Sequence, residues 1–232
     1  MATLLLRLGG PLQSWGSSSV YDQRDTDDMP TKSAVIGLLA GALGRKRDES
    51  VEDLAALNFG VRVDLPGSRL KDFQVTNMGE KLNANLSNRV YLTDAVFLVG
   101  LESDDEEFLS EIDHAVNNPE YPLFMGRRSC PPTLPLNLGI RPGELYETLL
   151  EEPWLVPEWR QKELFGFREE IRLRIVTDSM EDHGAFKRDV PISFSPFKRE
   201  YRYRYLKEMA PKTVKKEEIL YGTEHDPMKE LE

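Results

Sequence analysis

The stretch "PTKSAVIGLLAGALG", residues 30–44, constrains the fold more than any other part of the sequence. Its ten small or apolar residues, 34–43, are followed, after Gly44, by "RKRDES". A helix that crosses a membrane needs about 20 apolar residues, so this run is too short to span. A short helix that is apolar on nearly every side has to be buried, and Gly44 is suited to end it in a left-handed conformation. We therefore expect a helix packed against a β-sheet.

The start of this helix resembles a phosphate-binding loop, but that motif requires Gly before its Lys-Ser pair and Thr31 stands there instead. Lys32 and Ser33 are nevertheless placed at the exposed mouth of the predicted helix. Arg24 lies in the long polar loop before it. If that loop folds back, the three side chains would converge where helix N–H groups favour an anion. This is the best candidate anion pocket in the sequence.

The order of hydrophobic patterns up to residue 140 predicts an α+β fold. Strand-like "ATLLLRL" precedes the apolar helix, and after a second short helix come alternating "FGVRVDL", a polar Asn-rich insertion, the core strand "AVFLVGLE" and an acidic amphipathic helix. This order supplies most of a β-α-β-β-α-β ferredoxin-like (RRM-like) unit, with its last strand expected near "YPLFMG". We expect a domain at 1–140 with an insertion around 68–92, and a strand-rich C-terminal extension at 141–232.

Charge is segregated along the chain. The formal net charge is −10, which by itself argues against a nucleic-acid binder. Yet residues 187–216 contain ten Lys or Arg against three acids, whereas acid is concentrated in segments such as "ESDDEEFLSEIDHAVNN". This separation fits a protein with one face for a polyanion and another for solvent or a basic partner, although chance clustering would give the same pattern.

Composition also bears on compartment and cofactors. The single cysteine, Cys130, excludes an internal disulfide and a cysteine cluster for zinc. The N-terminal "MATLLLRLGG" turns to Gly-Gly before a signal peptide could develop, and no segment is long enough to span a membrane. We expect a soluble cytoplasmic protein without a metal or other cofactor and without contact to a membrane.

Several long blocks of the sequence are similar to one family. They are "LRLGGPLQSWG", Arg24, "PTKSAVIGLLAGALG", "YLTDAVFLVGL" and "YPLFMGRRSCPPTLPLNLG". In order and spacing they resemble the CasD family of type I-E CRISPR Cascade subunits, within the RAMP superfamily. The blocks cover residues 4 to about 139, and the later "FKRDVPISFSPFKREYRYRY" matches weakly.

The resemblance implies a ferredoxin-like RAMP domain whose insertion is a β-hairpin thumb. It implies a non-catalytic subunit of a prokaryotic RNA-guided surveillance complex in antiviral defence, which binds the 5′ handle of the CRISPR RNA and caps the backbone filament. The implied partners are the backbone subunit, the large PAM-recognising subunit and, through the complex, target DNA.

Candidate RNA-binding residues follow from this reading. Arg127 and Arg128 come after Gly126 at a turn, where paired guanidiniums suit a kinked phosphate backbone, and we expect one of them to be structural and one to face RNA. Trp15 could stack on a base or plug its loop. The remaining candidates, besides the anion pocket, are Arg89 in the insertion with Lys81, Asn83, Asn85 and Asn88 nearby, and Arg202 and Arg204 in "EYRYRYLK".

The alternative function is a metal-independent endoribonuclease that processes precursor CRISPR RNA, as a type I-C relative does. Such an enzyme needs a general base and a general acid beside the scissile phosphate. The three histidines are poorly placed for this, with His114 in the acidic helix and His225 in the charged tail, so that His183 is the one credible candidate. The sequence therefore favours a binding subunit over an enzyme.

Overall fold

The computed structural model describes residues 1–16, 23–76, 85–179 and 184–216. Its strands are β1 (Ala2–Gly9), β2 (Leu12–Gln13), β3 (Gln23–Arg24), β4 (Asn58–Leu65), β5 (Ser68–Thr76), β6 (Asn85–Thr93), β7 (Val96–Ser103), β8 (Asn137–Pro142), β9 (Glu170–Ser179), β10 (Ala185–Phe194) and β11 (Arg199–Lys215). Its helices are α1 (Lys32–Ala42), α2 (Glu52–Ala56), α3 (Glu106–Asn117), α4 (Leu145–Glu151) and α5 (Glu158–Phe165).

A seven-stranded antiparallel sheet organises the chain. Its strand order is β10-β11-β9-β4-β7-β1-β8, and a second, smaller sheet contains β2, β3, β5 and β6. The predicted α+β class is confirmed. The C-terminal strands β9 to β11 continue the same sheet beyond β4, while the predicted boundary near residue 140 stays a prediction.

The apolar helix forms as its sequence predicts. Thr31 caps α1 by accepting a hydrogen bond from the Ala34 N–H at 3.3 Å, and Gly44 adopts a φ of +74° just beyond the helix end. Val35, Ile36 and Leu39 are fully buried. Each such side chain contributes roughly 1.5–3 kcal/mol through burial, so packing stabilises this helix far more than its capping does.

Helices cover the main sheet on both faces near its centre. Leu4, Leu6 and Leu8 of β1 share one core with α1 and α3, whereas Leu5 packs with Leu145 and Leu149 of α4 on the other side. This explains why β1 is a continuous apolar run instead of an alternating one.

Arg62 and Asp64 lie on the α4 face of β4 and are both fully buried. Arg62 Nε donates to Asp64 Oδ1 at 2.6 Å, and its Nη1 donates to the Leu149 carbonyl at 2.6 Å. The guanidinium therefore satisfies a carbonyl that α4 leaves open at its C-terminal end. Burial of this pair depends on α4, which no local pattern in β4 indicates.

The prediction of a strand near "YPLFMG" is wrong, because the next strand after α3 begins later in the chain, at β8. The backbone of residues 120–121 is used elsewhere. The N–H groups of Glu120 and Tyr121 donate to the carbonyls of Ala42 and Gly41 at 3.0 and 3.3 Å. This segment thus closes the C-terminal end of α1, and it does not pair with the sheet.

An antiparallel pair, β5 with β6, occupies the segment in which the insertion was expected. Residues 77–84 between them, with Lys81 and Asn83, lie outside the described residues. Phe73, Val75 and Leu86 are more than half exposed on one face of the pair. In the described part of the chain, no helix has the length and apolar character needed to cross a membrane.

Candidate functional site

The smaller sheet places two of the predicted arginines side by side. Arg24 of β3 is aligned with Arg89 of β6 in a parallel pairing, and β2 pairs with β6 farther along, at Leu92 and Thr93. Because side chains alternate along a strand, Ser87, Arg89 and Tyr91 share one face of β6. Arg24 is exposed, and Arg89 is half-buried.

Two polar atoms on that face of β6 lack a partner. The Nε of Arg89 and the hydroxyl of Ser87 are both buried from solvent and make no hydrogen bond. An unsatisfied buried donor typically costs 1–3 kcal/mol, so a bound acceptor that reached these atoms would gain from it. The hydrogen-bonding capacity of these two buried atoms is thus unused within the described structure.

A turn after α3, at residues 126–129, packs beside β3 and β6. Gly126 has a φ of +84°, and a Cβ built there would lie 1.6 Å from the carbonyl oxygen of Ser14, so the position accepts glycine alone. Arg127 then donates to the carbonyls of Val90 and Arg24 at 3.1 and 2.8 Å. It fastens β6 to β3, which is the structural role expected for one arginine of the pair.

Arg128 differs from Arg127. It is exposed, and no acceptor within the described ranges contacts its guanidinium. Its neighbour Ser129 is exposed as well. A free guanidinium beside a tight turn can donate two parallel hydrogen bonds to a phosphate.

Tyr91 lies beside Arg127 and, on the same face of β6, beside Arg89. The guanidinium carbon of Arg127 is 4.5 Å from the centre of the Tyr91 ring. Burial alone would raise the pKa of the Tyr91 phenol, but hydrogen bonds from Ser129, Arg127 and Arg89 outweigh it and hold this pKa below its usual value. We call Arg24, Arg89, Tyr91, Arg127 and Arg128 the basic cluster.

Lys32 and Arg204 are corrected by the structure, because both belong to a buried charge network. Lys32 Nζ is 2.9 Å from Asp178 and donates to the Leu57 carbonyl at 2.7 Å. Arg204 pairs with both Asp178 and Asp189. Arg204 cannot reach a phosphate without leaving the buried Asp189 carboxylate unpaired, and Lys32 would have to give up both of these contacts.

The predicted anion pocket at the start of α1 is filled by the protein itself. The Asp189 carboxylate accepts a hydrogen bond from the Lys32 N–H at 3.0 Å. Ser33 is half-buried, with its hydroxyl 3.4 Å from that of Thr31. The chemistry expected there, an anion at a helix N-terminus, is present, but the anion is an aspartate from β10.

Trp15 is corrected in the same way. The ring is fully buried, and its indole N–H donates to the Gln13 side chain at 3.0 Å. The Trp15 backbone N–H donates to the Thr26 hydroxyl at 2.8 Å. The residue plugs the base of its loop, so its ring offers no face to a base.

The other candidates occupy separate places. Arg202 is exposed on β11, and His114 is exposed on α3. His183 and His225 lie outside the described residues. Within the described ranges, no group of three His, Cys, Asp or Glu side chains is arranged to hold a metal ion.

The sequence alone did not predict two residues of this site, Tyr91 and Ser129. Tyr91 stands two residues after Arg89, so a period-two reading of "SNRVYLTD" would have placed both on one face. Ser129 follows the arginine pair directly. No local signal indicates that the turn at 126–129 packs against β6, because that contact joins segments about 40 residues apart in the chain.

Comparison with known proteins identifies what the chain is similar to. The family model described as "CRISPR-associated protein (Cas_Cas5)" matches residues 3–207. The CRISPR system Cascade subunit CasD of Escherichia coli (strain K12) is 36% identical over 156 residues, which cover 59% of this chain and 70% of that protein.

Two solved structures are also similar. One, described as "Crystal structure of Cas protein", has a TM-score of 0.69 and 38% identity, covering 90% of this chain and 95% of that one. The other, from a "CRISPR RNA-guided surveillance complex", has a TM-score of 0.77 and 29% identity, covering 99% of this chain and 97% of that one.

Proposed function

Because this chain belongs to the CRISPR-associated Cas5 family, we propose that it is a non-catalytic Cascade subunit that binds the CRISPR RNA of a surveillance complex. We propose further that its ligand is the 5′ handle of that RNA, in a type I-E system of the prokaryotic cytoplasm. The observation that supports an RNA-binding site is the basic cluster, in which three segments of the chain bring four arginines and the Tyr91 phenol together.

The contacts of the basic cluster suit a bent RNA backbone. Arg127 is held by two carbonyls and keeps the cluster in shape, while Arg24 and Arg128 are exposed and their side chains make no hydrogen bond within the described ranges. Arg89 supplies an unpaired buried donor beside them. Guanidinium groups bind phosphate with two parallel donors, so a few of them can fix both the position and the direction of a strand.

The chain order supports the ferredoxin-like RAMP assignment. α1 connects β1 to β4, α3 connects β7 to β8, and the four strands lie in the order β4-β7-β1-β8. This is a β-α-β-β-α-β arrangement with both helices in the core on one face of the sheet. The strands β9 to β11 would then be the C-terminal extension.

The β5–β6 pair is proposed to act as the thumb that meets the backbone subunit and so caps the filament. Phe73, Val75 and Leu86 form an exposed apolar face there, and such a patch is typical of a protein contact. The opposite face of β6 carries Arg89 and Tyr91. One hairpin could thus contact protein on one side and RNA on the other. The large PAM-recognising subunit, and target DNA through the complex, remain proposed partners.

A mobility-shift titration tests this function. Purified protein should shift an RNA that carries the repeat-derived 5′ handle more tightly than a scrambled RNA of equal length, and should return it uncut. Arg89→Ala combined with Arg128→Ala should weaken the shift, whereas Arg47→Ala, an exposed arginine outside the basic cluster, should not.

The alternative, an endoribonuclease, predicts a different result in the same titration. Cleavage of precursor RNA at one site, lost on His183→Ala or on Tyr91→Phe, would replace the binding proposal. In the described ranges His114 is the one histidine, and it is exposed on α3 away from the arginine-bearing strands. We therefore favour binding without turnover.

A further inference from the structure

The outer face of β10 and β11 carries a continuous row of π-systems that the basic cluster does not include. Phe186 stacks on Tyr203 with ring centres 4.3 Å apart and an angle of 7° between the planes. The ring centre of Tyr205 is 5.2 Å from that of Phe186, and the Arg188 guanidinium lies 5.8 Å from the centre of the Tyr203 ring. We call these four residues the aromatic row.

The aromatic row is open to solvent. Phe186 is 58% exposed and Tyr203 is 55% exposed. α4 covers this face of the sheet near β1, β4 and β7, and it reaches β11 at Met209, which packs with Leu145 and Leu149, and at the Ala210 carbonyl, to which Tyr146 donates. A stacked pair of rings with more than half of its surface in water is unusual unless it serves a contact.

The charges on these two strands are sorted between faces. Alternation along β11 directs Tyr203, Tyr205 and Lys207 to one face and Glu200 and Glu208 to the other. Asp189 of β10 also lies on that other face, since it contacts Arg204 and the start of α1. Within these two described strands, the aromatic face thus carries Arg188 and Lys207 and no carboxylate.

We propose that the aromatic row is a second RNA-binding surface, which holds an unpaired stretch of RNA by base stacking with Arg188 and Lys207 on its phosphates. Aromatic side chains flanked by cations on an open sheet face bind single strands with little sequence preference, because every base has a π-face. The absence of carboxylates from this face of the two described strands favours a polyanion over a mixed-charge protein surface. The proposal rests on the proposed function, since the RNA held by the basic cluster would supply the strand.

Fluorescence anisotropy with a short labelled uridine oligoribonucleotide tests this surface apart from the handle. Phe186→Ala combined with Tyr203→Ala should weaken binding of that probe roughly tenfold, the scale of losing a stacked base. Tyr203→Phe should retain it, since the ring remains. Phe197→Ala removes a fully exposed phenylalanine outside the aromatic row and should have no effect.

The outcomes separate the two proposals. Arg89→Ala with Arg128→Ala should weaken handle RNA more than it weakens the uridine probe, and Phe186→Ala with Tyr203→Ala should do the reverse, so failure of the handle site would not remove the aromatic row. Unchanged probe affinity in the folded double-alanine variant would overturn the aromatic row. Loss of complex assembly at unchanged probe affinity would overturn it in favour of a protein contact. If the double variant does not fold, photocrosslinking of a 4-thiouridine probe to the wild type decides, and crosslinks away from β10 and β11 contradict the proposal.

Discussion

Arg204 of β11 and Asp189 of β10 form a buried two-point ion pair, with Nε 2.6 Å from Oδ1 and Nη2 2.8 Å from Oδ2. Asp189 is 1% exposed and also accepts from the first N–H of α1. The pair therefore ties the C-terminal strands to the helix on which the core is built. The two charges stabilise the fold, although the sequence predicted that Arg204 binds RNA.

Asp189→Asn should destabilise the fold by about 3 kcal/mol, the cost of leaving a buried guanidinium partly unpaired. Burial would raise the pKa of Asp189, but Arg204 holds it below its usual value. A carboxylate with a depressed pKa contributes stability that is full above its unfolded pKa of about 3.9 and is lost as the pH falls through the folded pKa. The gap between wild type and variant should thus be widest above pH 4 and shrink below it.

Urea unfolding from neutral pH to about pH 3 measures that gap. Glu208→Gln is the matched control, because its pair with Arg174 is exposed and should contribute less than about 1 kcal/mol. A gap independent of pH would contradict the assignment of the stability to the ionised Asp189.

Arg127→Ala and Arg128→Ala should behave differently. The first removes two charge-assisted hydrogen bonds to carbonyls, each typically worth 1.5–3 kcal/mol, and should lower the free energy of unfolding. The second should leave stability unchanged and flatten the slope of log K against log salt for handle RNA by about 0.7, as one phosphate contact is lost. Salt titrations with both variants check this, and an unchanged slope for Arg128→Ala would remove it from the RNA interface.

Phe73→Ser, Val75→Ser and Leu86→Ser together should leave the isolated chain folded, since all three side chains are more than half exposed. If their face meets the backbone subunit, incorporation into the complex should fall sharply while handle binding persists. Trp159→Ala, which removes an exposed aromatic residue on α5, is the control. Reconstitution followed by size-exclusion chromatography measures incorporation, and wild-type incorporation of the triple variant would exclude this face as the contact.

Glu106→Lys with Glu107→Lys should slow incorporation into the complex more at low salt than at high salt, if the acidic start of α3 meets a basic partner. Opposite charge acts mainly on association rate and fades beyond about 8 Å at physiological salt. Asp105 is kept, because its side chain caps α3 by accepting from the Phe108 N–H at 2.9 Å. Stopped-flow assembly compares this variant with Glu106→Gln and Glu107→Gln, and equal rates at every salt concentration would make this acidic run a solvated helix face.

Local sequence determined the elements whose signal is periodic and self-contained. The apolar run with Thr31 before it and Gly44 after it has no alternative to a short buried helix, and β1 and α3 follow from their own hydrophobic spacing. The α+β class follows from the order of such segments. Of Arg127 and Arg128, one was expected to be structural and one to face RNA; Arg127 holds two carbonyls and Arg128 is exposed, while contact with RNA stays a prediction.

Only the tertiary structure decided which charges are buried. Lys32 and Arg204 are residue types that are typical of RNA-binding sites. In the folded chain they contact Asp178 and Asp189, which lie more than 140 residues after Lys32 and come close once β9 to β11 join the sheet. Tyr91 became part of a basic cluster because a turn from a distant segment packs over β6. A side chain's exposure depends on partners from the whole chain, and a local pattern contains no information about them.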